Sequence, residues 1–141
     1  PSHGRPAIPH PGSHNANPVS MVAGTVTFEL LTRALLEQLN TRGDELRQRL
    51  GAAFRQAGVP VQVTGLGSLF GLHFTERPVR SYRDTLGTRA DLRHQIFLGL
   101  YNEGILIDPR GVGNISTAIG SDEIDQFFAA LDRVLARATG A

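Results

Sequence analysis

At Gly58 the apolar residues change their period, and that change limits what this chain can fold into. Before it, Leu35, Leu36, Leu39, Leu46, Leu50, Ala53, Phe54 and Ala57 recur at steps of three, four and seven, which is one stripe of a helix. After it, Val59, Val61 and Val63 alternate with other residues. Phe70, Leu72 and Phe74 then do the same, with Leu69, Gly71 and His73 on the opposite face. A helical stripe followed by half-apolar strands buries both faces by laying helices on a sheet. Two short strands joined around Gly65 and Gly67 are predicted, and Gly58 is a natural helix stop.

The remaining segments extend the pattern. Residues 1–16 hold four Pro, two Gly and three His with no period, so they read as loop. Asn17 suits an N-cap and Pro18 the first helical position. The helix that follows is predicted to bury Met21, Val22, Thr25, Phe28 and Leu31, and to break near Thr32. Gly43 weakens the second helix by about 1 kcal/mol relative to Ala. A polar loop over residues 76–87 precedes a third helix, capped by Thr88 with Asp91 three residues on. That helix carries Leu92, Ile96, Phe97 and Leu100 on its apolar face and ends at Gly104. Strands are predicted at Ile105–Asp108 and Asn114–Ile119, around the turn "PRGVG". Ser121 is expected to cap the last helix, whose buried face is Ile124, Phe127, Phe128, Leu131 and Leu135. Asp122 and Glu123 at its start and Arg133 and Arg137 at its end suit the helix dipole. The fold class is therefore α+β: a small, mostly antiparallel sheet covered by helices.

Composition narrows the functions. The 141 residues are the size of one domain or of a piece of a larger protein. Without Cys there are no disulfides, thiolate nucleophiles or thiolate metal sites. A net charge of +1, with basic residues spread along the chain, gives no reason to expect nucleic acid. No apolar run approaches the ~20 residues of a membrane span, and no signal-peptide shape opens the chain, so a soluble, cytoplasmic protein is expected. Pro1 stands where an initiator Met is absent, as expected of a processed or cut chain or of a gene read from an incomplete end. All 14 basic residues are Arg, and this bias fits genome composition. The absence of Lys has a chemical consequence: the chain cannot itself form a lysine Schiff base.

Few motifs carry chemistry by themselves. Gly65, Gly67 and Gly71 form G-x-G-x-x-x-G, but a dinucleotide fingerprint needs another last spacing and a helix opening at the glycines. They read as a turn or bulge between strands. His3, His10 and His14 fit no metal-ligand spacing and have no carboxylate among them, so no metal site is expected. His73 and His94 read as structural or surface residues. Asp, Ser and His are present, but a triad is recognised by geometry, and no G-x-S-x-G occurs. Arg110, in a Pro-Arg-Gly turn, is either a solvated turn residue or a fork for a carboxylate. "GSHNANP" is either a capped helix start or an anion site at a helix N-terminus, and capping by Asn17 is the simpler reading.

The segment "HPGSHNANPVSMVAG" resembles the H-G-G-T-F-x-x-N-P-x-x-M-A-A-G segment of class-III aminotransferases, which leads from their large domain into the C-terminal small domain. The resemblance continues through "RGDELRQRL", "AGVPVQVTGLGSLFGLHFT", "NEGILIDPRGVGNISTA" and "SDEIDQFFAAL", nearly the whole chain in order. It is nearest to the branch of glutamate-1-semialdehyde 2,1-aminomutase and transaminases acting on β-amino acids.

That resemblance implies a fold-type-I enzyme using pyridoxal 5′-phosphate (PLP), normally a homodimer with active sites at the subunit interface and a small-molecule amino acid as substrate. It implies that residues 1–16 belong to the large domain and residues 17–141 to the small domain with its lead-in helices. A family Thr that reaches the cofactor phosphate of the neighbouring subunit matches Ser13, preceded by Gly12; Pro11 and His14 depart from the pattern. Arg110 lies where some members bind a substrate carboxylate. The Schiff-base lysine and the other catalytic groups belong to the large domain, so no catalytic residue, no covalent cofactor attachment and no activity are expected of this chain alone. The competing expectation is a stand-alone, non-catalytic α+β module for binding or assembly.

Overall fold

The computed structural model describes residues 12–140; His3, His10 and Pro11 lie outside them. The chain divides into two compact units, Pro1–Leu36 and Glu37–Ala141. In the first, α1 (Pro18–Leu30) starts at Asn17, whose side chain accepts hydrogen bonds from the Val19 and Ser20 amides. The chain breaks after Leu30, and the Thr32 hydroxyl accepts from the Leu35 amide as α2 (Arg33–Gln56) begins. The expected buried face of α1 is not found. None of its residues is buried, and Met21, Val22 and Phe28 are 62%, 64% and 81% exposed. An apolar stripe calls for a covering surface, and nothing in the stripe requires that surface to lie within these 141 residues.

The second unit matches the period change. Leu39, Leu46, Leu50 and Phe54 of α2 are buried. The helix then closes in a Schellman motif, with Gly58 at φ +68°, its amide donating to Arg55 and that of Val59 to Phe54. Strand β1 (Gln62–Thr64) pairs antiparallel with β2 (Leu69–His73), Val63 opposite Leu72, and β2 pairs antiparallel with β3 (Val112–Asn114), Phe70 opposite Gly113. Phe70, Leu72 and Phe74 point into the core as their alternation demands. There they join the buried faces of α2, of α3 (Ala90–Asn102; Ile96 and Leu100) and of α4 (Ser121–Thr139; Phe127, Phe128, Leu131, Val134 and Leu135). Phe54 meets Phe74 edge to face at 5.9 Å. The architecture is α+β, a three-stranded antiparallel sheet under helices.

Several local expectations are corrected. Ile105–Asp108 is not a strand. Gly104, at φ +80°, ends α3 in a second Schellman motif that commits the Ile105 amide to Leu100, and Ile105 and Ile107 pack on the core without joining the ladder. The third strand lies two residues earlier than "NISTAI", because the ladder begins where the Leu72 amide donates to Gly111. Thr88 does not cap α3: Arg89 holds that position, its amide tied to the Phe74 carbonyl, and Asp91 grips the Arg89 guanidinium instead. Ser121 is the first residue of α4 rather than its cap; the Gly120 amide donates to the Glu123 carboxylate. The loop after β2 contains a 3-10 turn, Tyr82–Thr85, on the Asp84 carboxylate. Arg133 and Arg137 do more than face the helix dipole, since both hold Glu103 at the end of α3.

Gly43 marks where α2 meets the β1–β2 turn. A Cβ there would stand 2.8 Å from the Gly67 carbonyl carbon and closer still to its oxygen. One helical turn on, Arg47 donates to the Gly67 carbonyl at 2.6 Å and to that of Leu69 at 2.7 Å, and it pairs with Asp44. The glycine lets the turn approach and the arginine satisfies its carbonyls.

Candidate functional site

Two loops carry the residues that the sequence singles out. They lie in different units and each is described by itself.

The first leads into α1. Its backbone turns twice: the Asn15 amide donates to Gly12 and the Asn17 amide to His14. Ala16 sits at φ +58°, the one non-glycine residue at positive φ among those described. The Asn17 side chain takes the Val19 and Ser20 amides, so the first orphan donors of α1 are satisfied from within. What this loop offers an anion is the exposed Ser13 hydroxyl with the backbone around it. Gly12 before it is also exposed, and a Cβ there would come 3.0 Å from the Asn15 side-chain carbon.

The second is the turn Asp108–Pro109–Arg110–Gly111. Gly111 anchors it: buried, at φ +84°, it donates its amide to the Asp108 carbonyl at 2.8 Å and accepts from the Leu72 amide at 2.8 Å. A Cβ on Gly111 would come 2.8 Å from the Leu72 carbonyl oxygen, so this strand entry requires glycine in conformation and in space. Arg110 therefore projects from the rigid start of β3. Its guanidinium makes the two-point contact expected of a planar fork, but with its own neighbour: Nε to Asp108 Oδ1 at 2.9 Å and Nη2 to Oδ2 at 2.7 Å. The Arg110 amide also donates to Oδ1, at 2.7 Å. These bonds from the guanidinium and then the amide hold the Asp108 carboxyl at about 2. The carboxylate in turn raises the pKa of Arg110. The Arg110 side chain is 80% exposed and that of Asp108 31%.

Beside this turn lies an open, mostly apolar cleft of about 470 Å³, lined by Phe70, Ile105, Ile107, Val112 and Phe127, with Asp108 and Glu123 among its polar edges.

Of the histidines, His73 shares a 2.9 Å hydrogen bond with the Thr64 hydroxyl across β1 and β2. Burial lowers its pKa, and Gly71, whose Cβ would crowd both partners, leaves room for the bond. His94 stacks on Phe97 at the surface, and His14 is exposed in the first loop. Sequence reasoning singled out Arg110 and missed Asp108, although D-P-R-G places a carboxylate two residues before the arginine in a turn-forming tetrapeptide.

Known proteins share this fold and sequence. The chain is 37% identical to the β-phenylalanine transaminase of Variovorax paradoxus over 125 residues, covering 88% of this chain and 29% of that protein. It is 32% identical to glutamate-1-semialdehyde 2,1-aminomutase 2 of Shouchella clausii over 125 residues, covering 87% of this chain and 29% of that protein. The crystal structure of an ω-transaminase from Sphaerobacter thermophilus superposes with a TM-score of 0.84 at 39% identity, over 98% of this chain and 32% of that one. No family model matches. The chain belongs to the class-III aminotransferase and aminomutase family, and it spans about three tenths of the length of the relatives it matches.

Proposed function

We propose that this chain is the C-terminal, small-domain part of a PLP-dependent class-III aminotransferase or aminomutase, which moves an amino group between an amino acid and an oxo acid or within one molecule. The observation that carries the reading is the pairing of two coverages. Nearly nine tenths of the chain aligns with the β-phenylalanine transaminase, and it fills under a third of that enzyme.

The residues fit one end of the cofactor. Ser13 supplies a hydroxyl donor in an exposed turn, which suits the phosphate of the cofactor in the neighbouring subunit of a homodimer, with Gly12 beside it. A chain without Lys has no side-chain amine to carry the cofactor covalently, so that attachment falls to the large domain. When bound, PLP supplies the electron sink for amino-group chemistry. This chain's residues bind and orient: Ser13 holds the phosphate end, and Arg110 holds a carboxylate of the amino acid through its two-point fork.

The reading is tested in the enzyme purified from its source. Ser13→Ala raises the dissociation constant for PLP and Ser13→Thr restores it. Arg110→Gln raises KM for carboxylate-bearing substrates, and the isolated 15.2 kDa chain transfers no amino group. Amino transfer by the chain alone, or unaltered cofactor binding in Ser13→Ala, overturns it.

A further inference from the structure

We infer that Asp108 is a built-in stand-in for the substrate carboxylate, occupying the Arg110 fork until a ligand displaces it and thereby setting how strongly the site selects carboxylates. The inference rests on the proposed role of Arg110 and goes beyond it by naming a second residue that tunes that role.

Three features of the turn carry it. The contact has the chemistry of ligand recognition: both carboxylate oxygens meet two nitrogens of one guanidinium face, at 2.9 and 2.7 Å. A substrate carboxylate would make the same pair of bonds, so the two compete for one surface. Next, the pair does not hold the turn together. The backbone is fixed by the Gly111 amide on the Asp108 carbonyl, by the Leu72 amide on Gly111 and by the buried φ +84° glycine, and all of these remain when the guanidinium leaves. Finally, the guanidinium is accessible to a second carboxylate, the Arg110 side chain being 80% exposed and that of Asp108 31%. Exposed ion pairs gain little over solvated ions, so exchange for an incoming carboxylate is nearly balanced and depends on what else the ligand touches.

A site arranged this way also avoids presenting a bare guanidinium to any passing anion. A ligand that brings only a carboxylate gains little, because it replaces a carboxylate already there. One that adds contacts elsewhere in the active site displaces Asp108 with the free energy of those contacts. Selectivity thus comes from competition, set by a residue that need never touch the reacting atoms.

The test is kinetic, on the enzyme from its source, with a carboxylate-bearing amino acid and an amine of similar shape that lacks the carboxylate. Asp108→Asn keeps an acceptor for the Arg110 amide and removes the charge. It is expected to lower KM for the amino acid by about two- to fivefold, the range of an exposed pair. The effect falls on KM rather than kcat, and KM for the amine stays the same. In the double variant Asp108→Asn, Arg110→Gln, KM matches that of Arg110→Gln alone, because Asp108 acts only through the arginine. If Arg110→Gln leaves KM unaltered, the proposed role of Arg110 fails. If Arg110→Gln raises KM while Asp108→Asn raises it too or leaves it unaltered, Arg110 binds carboxylate and the stand-in role of Asp108 is overturned.

Discussion

Replacing Gly43 by Ala tests whether the close approach of α2 to the β1–β2 turn is real. In an ordinary helix interior this substitution stabilises by about 1 kcal/mol. Here the added Cβ would lie 2.8 Å from the carbonyl carbon of Gly67, where carbon atoms normally rest about 3.5–4.0 Å apart. The turn must therefore retreat by roughly 1 Å. Retreat strains the Arg47 bonds to Gly67 and Leu69, now 2.6 and 2.7 Å. Overpacking of this kind costs about 1–3 kcal/mol, and a weakened bond from a charged donor adds about 1 kcal/mol or more. After the helix-propensity gain, a net loss of about 1–3 kcal/mol is expected. Gly51→Ala in the same helix is the control, since its Cβ would meet only the flexible end of Arg55 at 3.1 Å and should stabilise by up to about 1 kcal/mol. Urea unfolding followed by far-UV circular dichroism reads both, and the midpoints should separate by about 1 M or more. If Gly43→Ala proves as stable as Gly51→Ala, the packing argument is refuted.

Leu50→Ala and Leu131→Ala each empty a position with no solvent exposure, so each should cost about 2–5 kcal/mol in the same unfolding assay. His73 has its pKa lowered by burial, so below its unfolded value of 6.5 the unfolded state binds the extra proton. Stability should be full above that pH and decline as pH falls from it toward the folded pKa, and a pH series on His73→Gln should lose that part of the slope. Glu103 has its carboxyl lowered first by Arg137 and then by Arg133, so its contribution is present above the unfolded value near 4.5 and is lost as pH falls through the folded pKa. Glu103→Gln should therefore narrow the gap in stability between neutral and acid solution, as measured by unfolding at the two pH values.

What the sequence made legible was what repeats. The α2 face, the alternation of Phe70, Leu72 and Phe74 and the stop at Gly58 are written in period and in conformational preference, and the structure follows them. Ile105–Asp108 was misread because a short apolar run also suits an extended segment that packs on a core without joining a ladder. Thr88 and Ser121 were good capping residues near their helix starts, but a cap depends on a backbone position that Arg89 and Gly120 hold. Gly43 read as a weak point because its reason lies 24 residues on, at Gly67. In the candidate site, what was legible was the turn that carries Arg110. The partner of that arginine was not, because D-P-R-G encodes proximity while the two-point contact depends on side-chain rotamers. The apolar stripe of α1 was expected to be buried and is exposed; where a cover for it would come from is not written in the stripe.

Whether this chain is one part of a larger PLP enzyme is decided by the mass of the protein in its native source. An antibody raised against the purified chain would find it in cell extracts, with intact mass read by mass spectrometry. A species about three times the chain's 15.2 kDa is expected, in keeping with its coverage of 29% of the transaminase relative. A single species at 15.2 kDa would contradict that expectation and leave a free-standing α+β module.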